Sequence, residues 1–299
     1  MTIHYTACPV CDGITLEHIM DVKDHTVSGD MFPLVLCRKC SLVFTQDVPT
    51  EDEIGPFYAA EAYISHTDTD KGLVNNLYHR IRKITLRQKR KMIISRTGKQ
   101  TGKLLDIGSG TGAFLAEMRK TGWEITGIEP DSTARSNASR IHGVKALEPS
   151  ALGALPAAEY DAITMWHVLE HVHNLHGYMD RICEMLKPGG TAFIAVPNYT
   201  STDAEIYGAA WAAWDVPRHL YHFSPKSMHV LAERHGMEIT AELPMWFDSF
   251  YVSMLSEKYQ SGKDRLLHAG FAGLRSNLSA LKAPGKASSV IYVLRKRSR

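Results

Sequence analysis

From residue 103 onward, short apolar runs alternate with stretches of helical pattern. Lys103–Ile107, Glu124–Ile128, Val144–Leu147, Tyr160–Trp166 and Thr191–Val196 have the length of buried strands. Between them, Gly112–Thr121, Asp131–His142 and Leu175–Leu186 fit helices, the last stopped by Lys187-Pro188-Gly189-Gly190. Strand and helix in alternation predict a parallel sheet covered on both faces, an α/β fold. Ser224–His235 reads as a further helix, with Ser224 at the N-cap and Pro225 at the first helical position. Glu238–Leu243 and Val290–Leu294 are late strands. A helical insert lies between them at about 246–288, with Phe250, Tyr251, Leu255, Leu266, Leu267, Phe271 and Leu274 among its apolar residues.

The N-terminal pattern is different. Two apolar runs, Met31–Leu36 and Leu42–Phe44, flank a Cys-x-x-Cys pair at Cys37 and Cys40. A second pair, Cys8 and Cys11, stands upstream, with Pro9 and Gly13 suited to a tight turn. Two such turns bring four thiolates around one tetrahedral ion, the layout of a structural zinc ribbon over residues 1–48. Two disulfides or four free thiols are the competing readings, the disulfides disfavoured in a reducing compartment. About 45 residues hold a poor core unaided, so a metal would supply folding energy. The fifth cysteine, Cys183, falls in a helical pattern and is expected to pack.

Residues 49–98 form a connecting region. Tyr58, Tyr63 and His66 are candidates for a lid over a ligand, or for packing between the two modules. Gly72–Arg96 reads as one helix carrying Arg80, Arg82, Lys83, Arg87, Lys89, Arg90 and Lys91. A solvated face is the plain reading of that stripe. A patch for an anionic substrate or a lipid surface, with peripheral membrane contact, is the sharper one.

Charge and length limit the function classes. The 299 residues carry 34 Lys plus Arg against 32 Asp plus Glu, a net charge of +2, which argues against a nucleic-acid coat. No apolar run is long enough to span a membrane. Met1–Val10 lacks the pattern of a secretory signal, so the cytoplasm is the expected address.

The candidate chemistry sits at the first strand–helix junction of the α/β region. Leu104-Leu105-Asp106-Ile107-Gly108-Ser109-Gly110-Thr111-Gly112 is a glycine loop that lets backbone approach a ligand at the sheet's carboxyl edge. With Ala113 it also satisfies the dinucleotide fingerprint, and Glu129 ends the next strand where an acid would hold ribose hydroxyls. The glycines alone do not separate a nicotinamide enzyme from a methyltransferase. Asp106 does: a carboxylate beside the loop repels a pyrophosphate and attracts the sulfonium and ammonium of S-adenosylmethionine. That attraction is worth up to ~3 kcal/mol at ~5 Å and an effective dielectric of ~20, before desolvation.

These segments resemble class I S-adenosylmethionine-dependent methyltransferases. Asp106–Gly112 is similar to their first motif, and Ile128-Glu129-Pro130 to the acidic end of their second strand. Tyr160–Ile163 followed by His167-Val168-Leu169-Glu170-His171-Val172 resembles their fourth strand and the turn after it. Leu186–Gly190 resembles the turn before strand five. The resemblance covers about 103–243. It implies a Rossmann-like seven-stranded sheet with the last strand antiparallel, within a methyltransferase domain expected at 99–299. It also implies cofactor contacts at the Gly108–Gly112 loop, with Gly108, Ser109, Gly110 and Gly112, at Glu129, and at the end of strand four and the turn after it, Trp166 and His167; Asp106 and, from the lid, Tyr63 are added to these candidates from the residues themselves. The added four-cysteine module is similar to that of zinc-ribbon methyltransferases of sugar and glycan biosynthesis. In those enzymes the segment resembling Trp214–Ser224 supplies a catalytic histidine, here His219. They tend to carry an acid beside it, where this chain has Arg218.

Three histidines and an arginine remain to be weighed. His167-x-x-Glu170-His171 matches the string of inverted zinc proteases, but that chemistry needs both histidines on one helical face and His167 ends a strand. His171 is a candidate for the pocket floor or a buried cap. His219 is the candidate general base for a hydroxyl acceptor, since an ordinary histidine pKa suits that task. Arg218 is a candidate clamp for a phosphate or carboxylate, with an ion pair as the alternative. Trp211 and Trp214 line the acceptor pocket or belong to the core. The expected activity is methyl transfer to a small-molecule or glycan-linked acceptor. An RNA methyltransferase gripping nucleic acid with its ribbon, and a non-catalytic cofactor-binding module, are the alternatives.

Overall fold

The fold is seen in a computed structural model, which describes residues 2–58 and 73–297, with backbone alone over 73–80. Thr2–Ile3 forms β1, Leu16–Lys23 β2, Met31–Cys37 β3, Val43–Thr45 β4 and Val48–Pro49 β5. The two cysteine turns share one geometry. The N–H of Cys8 donates to the Gly13 carbonyl and that of Cys37 to the Leu42 carbonyl, at 2.9 and 2.8 Å. The residue after each second cysteine, Asp12 and Ser41, takes a left-handed backbone conformation. Gly13 is the residue the sulfurs require, because a Cβ there would lie 3.2 Å from the Sγ atoms of both Cys11 and Cys37.

Leu73–Thr97 is a 25-residue helix, α1. Lys103–Ile107 (β6) then leads through the glycine loop into Ala113–Arg119 (α2). Glu124–Ile128 (β7), Ser132–His142 (α3), Ala146–Leu147 (β8) and Tyr160–Trp166 (β9) follow, then Leu175–Met185 (α4) and Leu186–Pro197 (β10). Thr202–Tyr207 is α5, Tyr221–His222 β11, Pro225–Arg234 α6 and Met237–Pro244 β12. The insert is a helical pair, Asp248–Ser261 (α7) and Leu266–Lys282 (α8), and Ser289–Lys296 (β13) ends the described fold.

The main sheet has seven strands in the order β12-β13-β10-β9-β6-β7-β8. β13 runs antiparallel to both of its neighbours, and the pairings among β10, β9, β6, β7 and β8 are parallel. Helices cover both faces, as alternating buried strands require. Ile93, Phe114, Leu115, Trp123 and Ala138 fill one layer, and Leu175, Met179, Ile182, Met228 and Leu231 fill the other. The second layer runs on without a break into Val10, Phe44 and the four cysteines. The N-terminal sheet, order β11-β4-β3-β2, borrows its edge strand β11 from the later chain. That pairing, Tyr221 with Phe44 and His222 with Val43, fixes the His219 segment against the cysteine module.

Two boundaries differ from the sequence reading. Lys187–Gly190 does not lie ahead of the strand but inside it, as an irregularity between Leu186, which pairs with Tyr160, and Thr191, which pairs with Ala162. The expected strand at 144–147 shrinks to Ala146–Leu147, because Val144 closes α3, its N–H donating to Ala138. Trp211 and Trp214 are core residues. Their indole N–H groups donate to Asp203 and to the Gly208 carbonyl, both at 2.8 Å.

Candidate functional site

The parallel strands place their carboxyl ends at one edge, and the loops that leave them meet there. Gly108, Gly110 and Gly112 all have positive φ, so the loop after β6 turns sharply with no side chain in the way. A Cβ on Gly108 would strike Val168 at 2.3 Å, while nothing stands within 4 Å of the corresponding position on Gly110. The loop is therefore tight on its inner side and open where a ligand would approach. Glu129 lies beneath it and accepts from the N–H of Gly110 at 2.7 Å and of Asp131 at 3.0 Å. Asp131 also caps α3 by accepting from the N–H of Ala134. Ser109 is buried, and its Oγ lies over Gly127 rather than toward the open side of the loop.

Asp106 sits inside the sheet. Its carboxylate accepts from the Thr164 hydroxyl of β9 at 2.6 Å. Burial raises its pKa to about 7, against the opposing pull of the Thr164 hydrogen bond and the Lys89 ammonium. A carboxyl poised near neutrality is one that an arriving cation drives fully ionised.

The basic helix α1 contributes to this edge. Lys89 places its ammonium 4.0 Å from the centre of the Trp166 ring, a cation–π contact. Burial lowers its pKa to about 8 even with Asp248 and Asp106 nearby. Arg82 donates to the Thr111 hydroxyl at 3.0 Å, and Arg90 to Glu117 at 2.6 Å. Three cations of the stripe are thus turned onto the glycine loop, the Trp166 ring and α2. Their spacing, with Leu86 and Ile93 packed inward beside them, was the signal available in the sequence. Trp166 also packs edge-on against Phe114, ring centres 5.5 Å apart.

After β9 the chain turns at His167, whose φ is 57°. Its ring nitrogens meet Glu170 at 3.2 Å and Asp248 at 2.8 Å. Burial opposes the charged ring, but the two carboxylates outweigh it and lift the pKa to about 10. His167 is therefore an imidazolium strut that ties the turn to the first residue of α7. It does not share a helical face with His171, so the protease geometry is absent.

Glu170, His171 and His219 bring one carboxylate and two imidazoles within 4.8 Å of one another. The rings of His171 and His219 meet edge to face, 4.6 Å between centres. His171 Nδ1 lies 3.0 Å from the Arg218 carbonyl and 3.1 Å from the Tyr58 hydroxyl. His219 Nδ1 lies 2.9 Å from the Ala213 carbonyl. A carbonyl only accepts, so each Nδ1 carries a proton, and in its neutral form each ring keeps its lone pair on Nε2. Glu170 is fully buried and its Oε2 has no hydrogen-bond partner. Burial lowers the His171 pKa to about 4, with the His219 charge acting in the same direction.

Arg218 is a buried strut. It forms a double contact with Asp215, Nε at 3.0 Å and Nη2 at 2.5 Å, donates to the Phe57 carbonyl at 3.0 Å, and reaches Asp24 at 3.4 Å. The clamp read from the sequence has its planar fork engaged by the protein's own carboxylates. Arg218 stands where the resemblance would put an acid, and a carboxylate four residues before the histidine lies near it in space: Asp215 Oδ2 is 3.8 Å from His219 Nε2. Asp215 and Asp248 were missed by the sequence reading, one hidden by a turn and the other by a separation of 81 positions from His167. Tyr63 and His66 lie outside the described residues.

The four cysteines are all buried, and their sulfurs lie within 4.8 Å of one another. Cys8 and Cys40 are 3.5 Å apart, and Cys11 and Cys37 3.6 Å. No disulfide joins them, since a covalent bond needs ~2.05 Å. Sulfurs about 2.3 Å from a shared tetrahedral zinc would stand slightly farther apart than this, so the thiols fit such an ion with little movement.

A seven-stranded sheet with this strand order, and a glycine loop answered by an acid at the end of the next strand, define a class I S-adenosylmethionine-dependent methyltransferase. The family profile described as "Methyltransferase domain" matches residues 76–242, more than half of the chain, and the chain belongs to that family. Among curated relatives, the ubiquinone biosynthesis O-methyltransferase of Nitrosococcus oceani is 26% identical over 176 residues, covering 54% of this chain and 72% of the relative. The human mitochondrial protein of the same name is 28% identical over 166 residues, covering 50% of this chain and 44% of its own length. A solved structure from Galdieria sulphuraria, assigned provisionally as a sarcosine dimethylglycine methyltransferase, shares the fold. Its TM-score is 0.51 at 18% identity, over 72% of this chain and 88% of that one.

Proposed function

We propose that the protein transfers the methyl group of S-adenosylmethionine to a hydroxyl of a small-molecule or glycan-linked acceptor. The observation that carries this reading is the meeting of the His171 and His219 rings, 4.6 Å between centres, at the turn whose Val168 packs on Gly108 of the glycine loop, together with Glu129 and Asp106, two carboxylates suited to a cationic donor. In the reaction the acceptor oxygen displaces the thioether from the methyl carbon. The chain's own part is alignment and proton transfer.

Glu129 exchanges the Gly110 amide for the ribose hydroxyls, and the exposed backbone of Gly110 lies along the donor. Gly108, Ser109 and Gly112 shape the loop around it. Asp106, inside the sheet, supplies the negative field that favours the sulfonium. Trp166 and Lys89 close that end, Lys89 facing the carboxylate of the methionine part. His167 holds the turn after β9 in place.

His219 takes the hydroxyl proton on Nε2. Asp215, 3.8 Å from that nitrogen, stabilises the imidazolium that results. His171 orients the acceptor from the neighbouring edge, and Arg218 keeps Asp215 in position. Cys8, Cys11, Cys37 and Cys40 hold a structural zinc ion, which leaves no open coordination position. The names of the curated relatives, O-methyltransferases, support an oxygen acceptor.

The test is single-turnover transfer from radiolabelled S-adenosylmethionine to a panel of nucleotide sugars and hydroxylated aromatic acids, with His219→Ala beside the parent. The reading predicts normal cofactor binding and a loss of turnover of about 10²–10⁴-fold, the usual worth of a general base. Unchanged turnover removes His219 from the chemistry, and failure to bind the cofactor removes the reading altogether.

A further inference from the structure

The helical pair α7–α8 is packed inside out. On α8 the buried positions are Ala269, Ala272, Gly273, Ser276 and Ala280. The large apolar side chains face water: Leu267 is 89% exposed, Phe271 73% and Leu281 68%, with Leu274 and Leu278 about half exposed. These five lie at i, i+4, i+7, i+11 and i+14, which is one stripe of a helix. α7 repeats the inversion. It buries Ser249, Ser253, Ser256 and Glu257 and leaves Tyr251 and Met254 outside, with Phe250 partly exposed over Gly273. The inner packing demands small residues, since a Cβ on Gly273 would press into the Phe250 ring at 2.8 Å. Ser276 is spoken for as well, its hydroxyl donating to Asp203 at 2.6 Å. The outward apolar face is therefore not a failed core. A single exposed leucine means nothing, but a continuous stripe of roughly 600 Å² or more marks an interaction surface.

Charge identifies what it meets. Leu266–Lys282 contains no acid. Arg275 stands within one turn of Phe271, Leu274 and Leu278, Lys282 beside Leu281, and Lys263 and Arg265 precede the helix. Asp264 is the one acid between residues 262 and 286. A two-fold pairing of this face would set the cations of one copy against those of the other, with no acid on the helix to answer them. Leu267, Phe271, Ile206 and Arg275 of this face also help line a groove of about 500 Å³, whose one acid, Glu257, is buried against the Tyr207 hydroxyl.

We propose that α8 is an interfacial helix that seats the enzyme on an anionic lipid surface, its apolar stripe among the acyl chains and Arg275 and Lys282 at the headgroup phosphates. The seat is joined to the chemistry, because Asp248 at the start of α7 is the residue that holds His167. The bilayer would then lie against the helical pair that braces the turn after β9.

Flotation of the full chain with phosphatidylcholine–phosphatidylglycerol vesicles, against phosphatidylcholine alone, tests this without reference to activity. The parent is expected to float with the mixed vesicles, less so at high salt, and weakly with the neutral ones. Phe271→Gln/Leu274→Gln/Leu278→Gln, all at exposed positions, should lose flotation while keeping its circular dichroism and cofactor binding. Arg275→Glu/Lys282→Glu should lose only the preference for anionic lipid. No flotation of the folded parent, or equal flotation with both vesicles, overturns the proposal. So does a dimer by light scattering that the triple variant dissolves while vesicle binding is absent, since the stripe would then cover a second copy.

Discussion

The imidazole of His167 and the carboxylate of Asp248 stand 2.8 Å apart, joining the turn after the fourth parallel strand to the helical insert. Burial alone would keep His167 neutral, and the carboxylates of Asp248 and Glu170 reverse that to a pKa of about 10. A folded-state pKa above the ordinary 6.5 stabilises most below that value, and the contribution disappears as pH rises through about 10. Asp248→Asn is therefore expected to bring the His167 titration down by more than one pH unit in NMR spectra. It should also make thermal stability at pH 8 lower than the parent's, with a smaller loss at higher pH. An unmoved His167 titration would show that the contact carries no charge.

Asp161 is the opposite case. Burial pushes its carboxyl up. Lys187 at 2.8 Å, Lys99 and the Lys103 N–H at 2.9 Å outweigh burial and hold it at about 2. A depressed carboxyl stabilises above its ordinary value, and the contribution is lost as pH falls through 3.8 toward about 2. Asp161→Asn should cost about 1–3 kcal/mol at neutral pH in denaturant unfolding, since it leaves charged donors without their acceptor. The gap from the parent should close below pH 3. A constant gap across that range would contradict the ion-pair account.

Gly108→Ala asks a left-handed residue to carry a side chain that would strike Val168 at 2.3 Å. The expected result is a loss of about 1–3 kcal/mol of stability from strained backbone, together with weaker cofactor binding. Gly110→Ala carries the same left-handed backbone strain, roughly 1–2 kcal/mol, but meets open space instead of Val168, so its folding penalty should be smaller and the loss of cofactor binding should stand out. Calorimetry and thermal melts on both variants separate the two effects. Equal behaviour would mean that the loop has no inner and outer side.

The cysteine module should depend on its metal. Mass spectrometric metal analysis of protein purified without chelator is expected to give one zinc per chain, and Cys37→Ser to lower it sharply. Because β4 pairs with β11, loss of the ion should also loosen the His219 segment, seen as faster amide exchange over 219–223. Well under one equivalent of zinc in active protein would contradict the assignment.

The parallel core was legible because each strand is a short apolar run and each helix a 3.6-residue pattern, as in Tyr160–Trp166 and Leu175–Met185. The glycine loop and Glu129 were legible because a tight turn of positive φ needs glycines and because the acid ends the next strand, where it meets the Gly110 N–H. Asp106 was singled out from the sequence and imagined at the loop's mouth, whereas its strand position turns it onto Thr164. Contacts between distant segments carried no local signal. The partner of His167 is 81 residues away in the insert, and Arg218 reaches Asp24 across the N-terminal sheet. Periodicity placed the apolar residues of α8 on a helix, but it could not tell which face would be buried. Small residues packing inward reversed the usual sense.

The most direct measurement is calorimetric titration of the protein with S-adenosylmethionine and, separately, with NADH, on the parent and on Glu129→Ala. The account predicts saturable binding of the sulfonium compound, weakened about 10–100-fold by the substitution as one charged hydrogen-bonding site is lost, and no measurable uptake of NADH. Tight NADH binding with indifference to S-adenosylmethionine would contradict it.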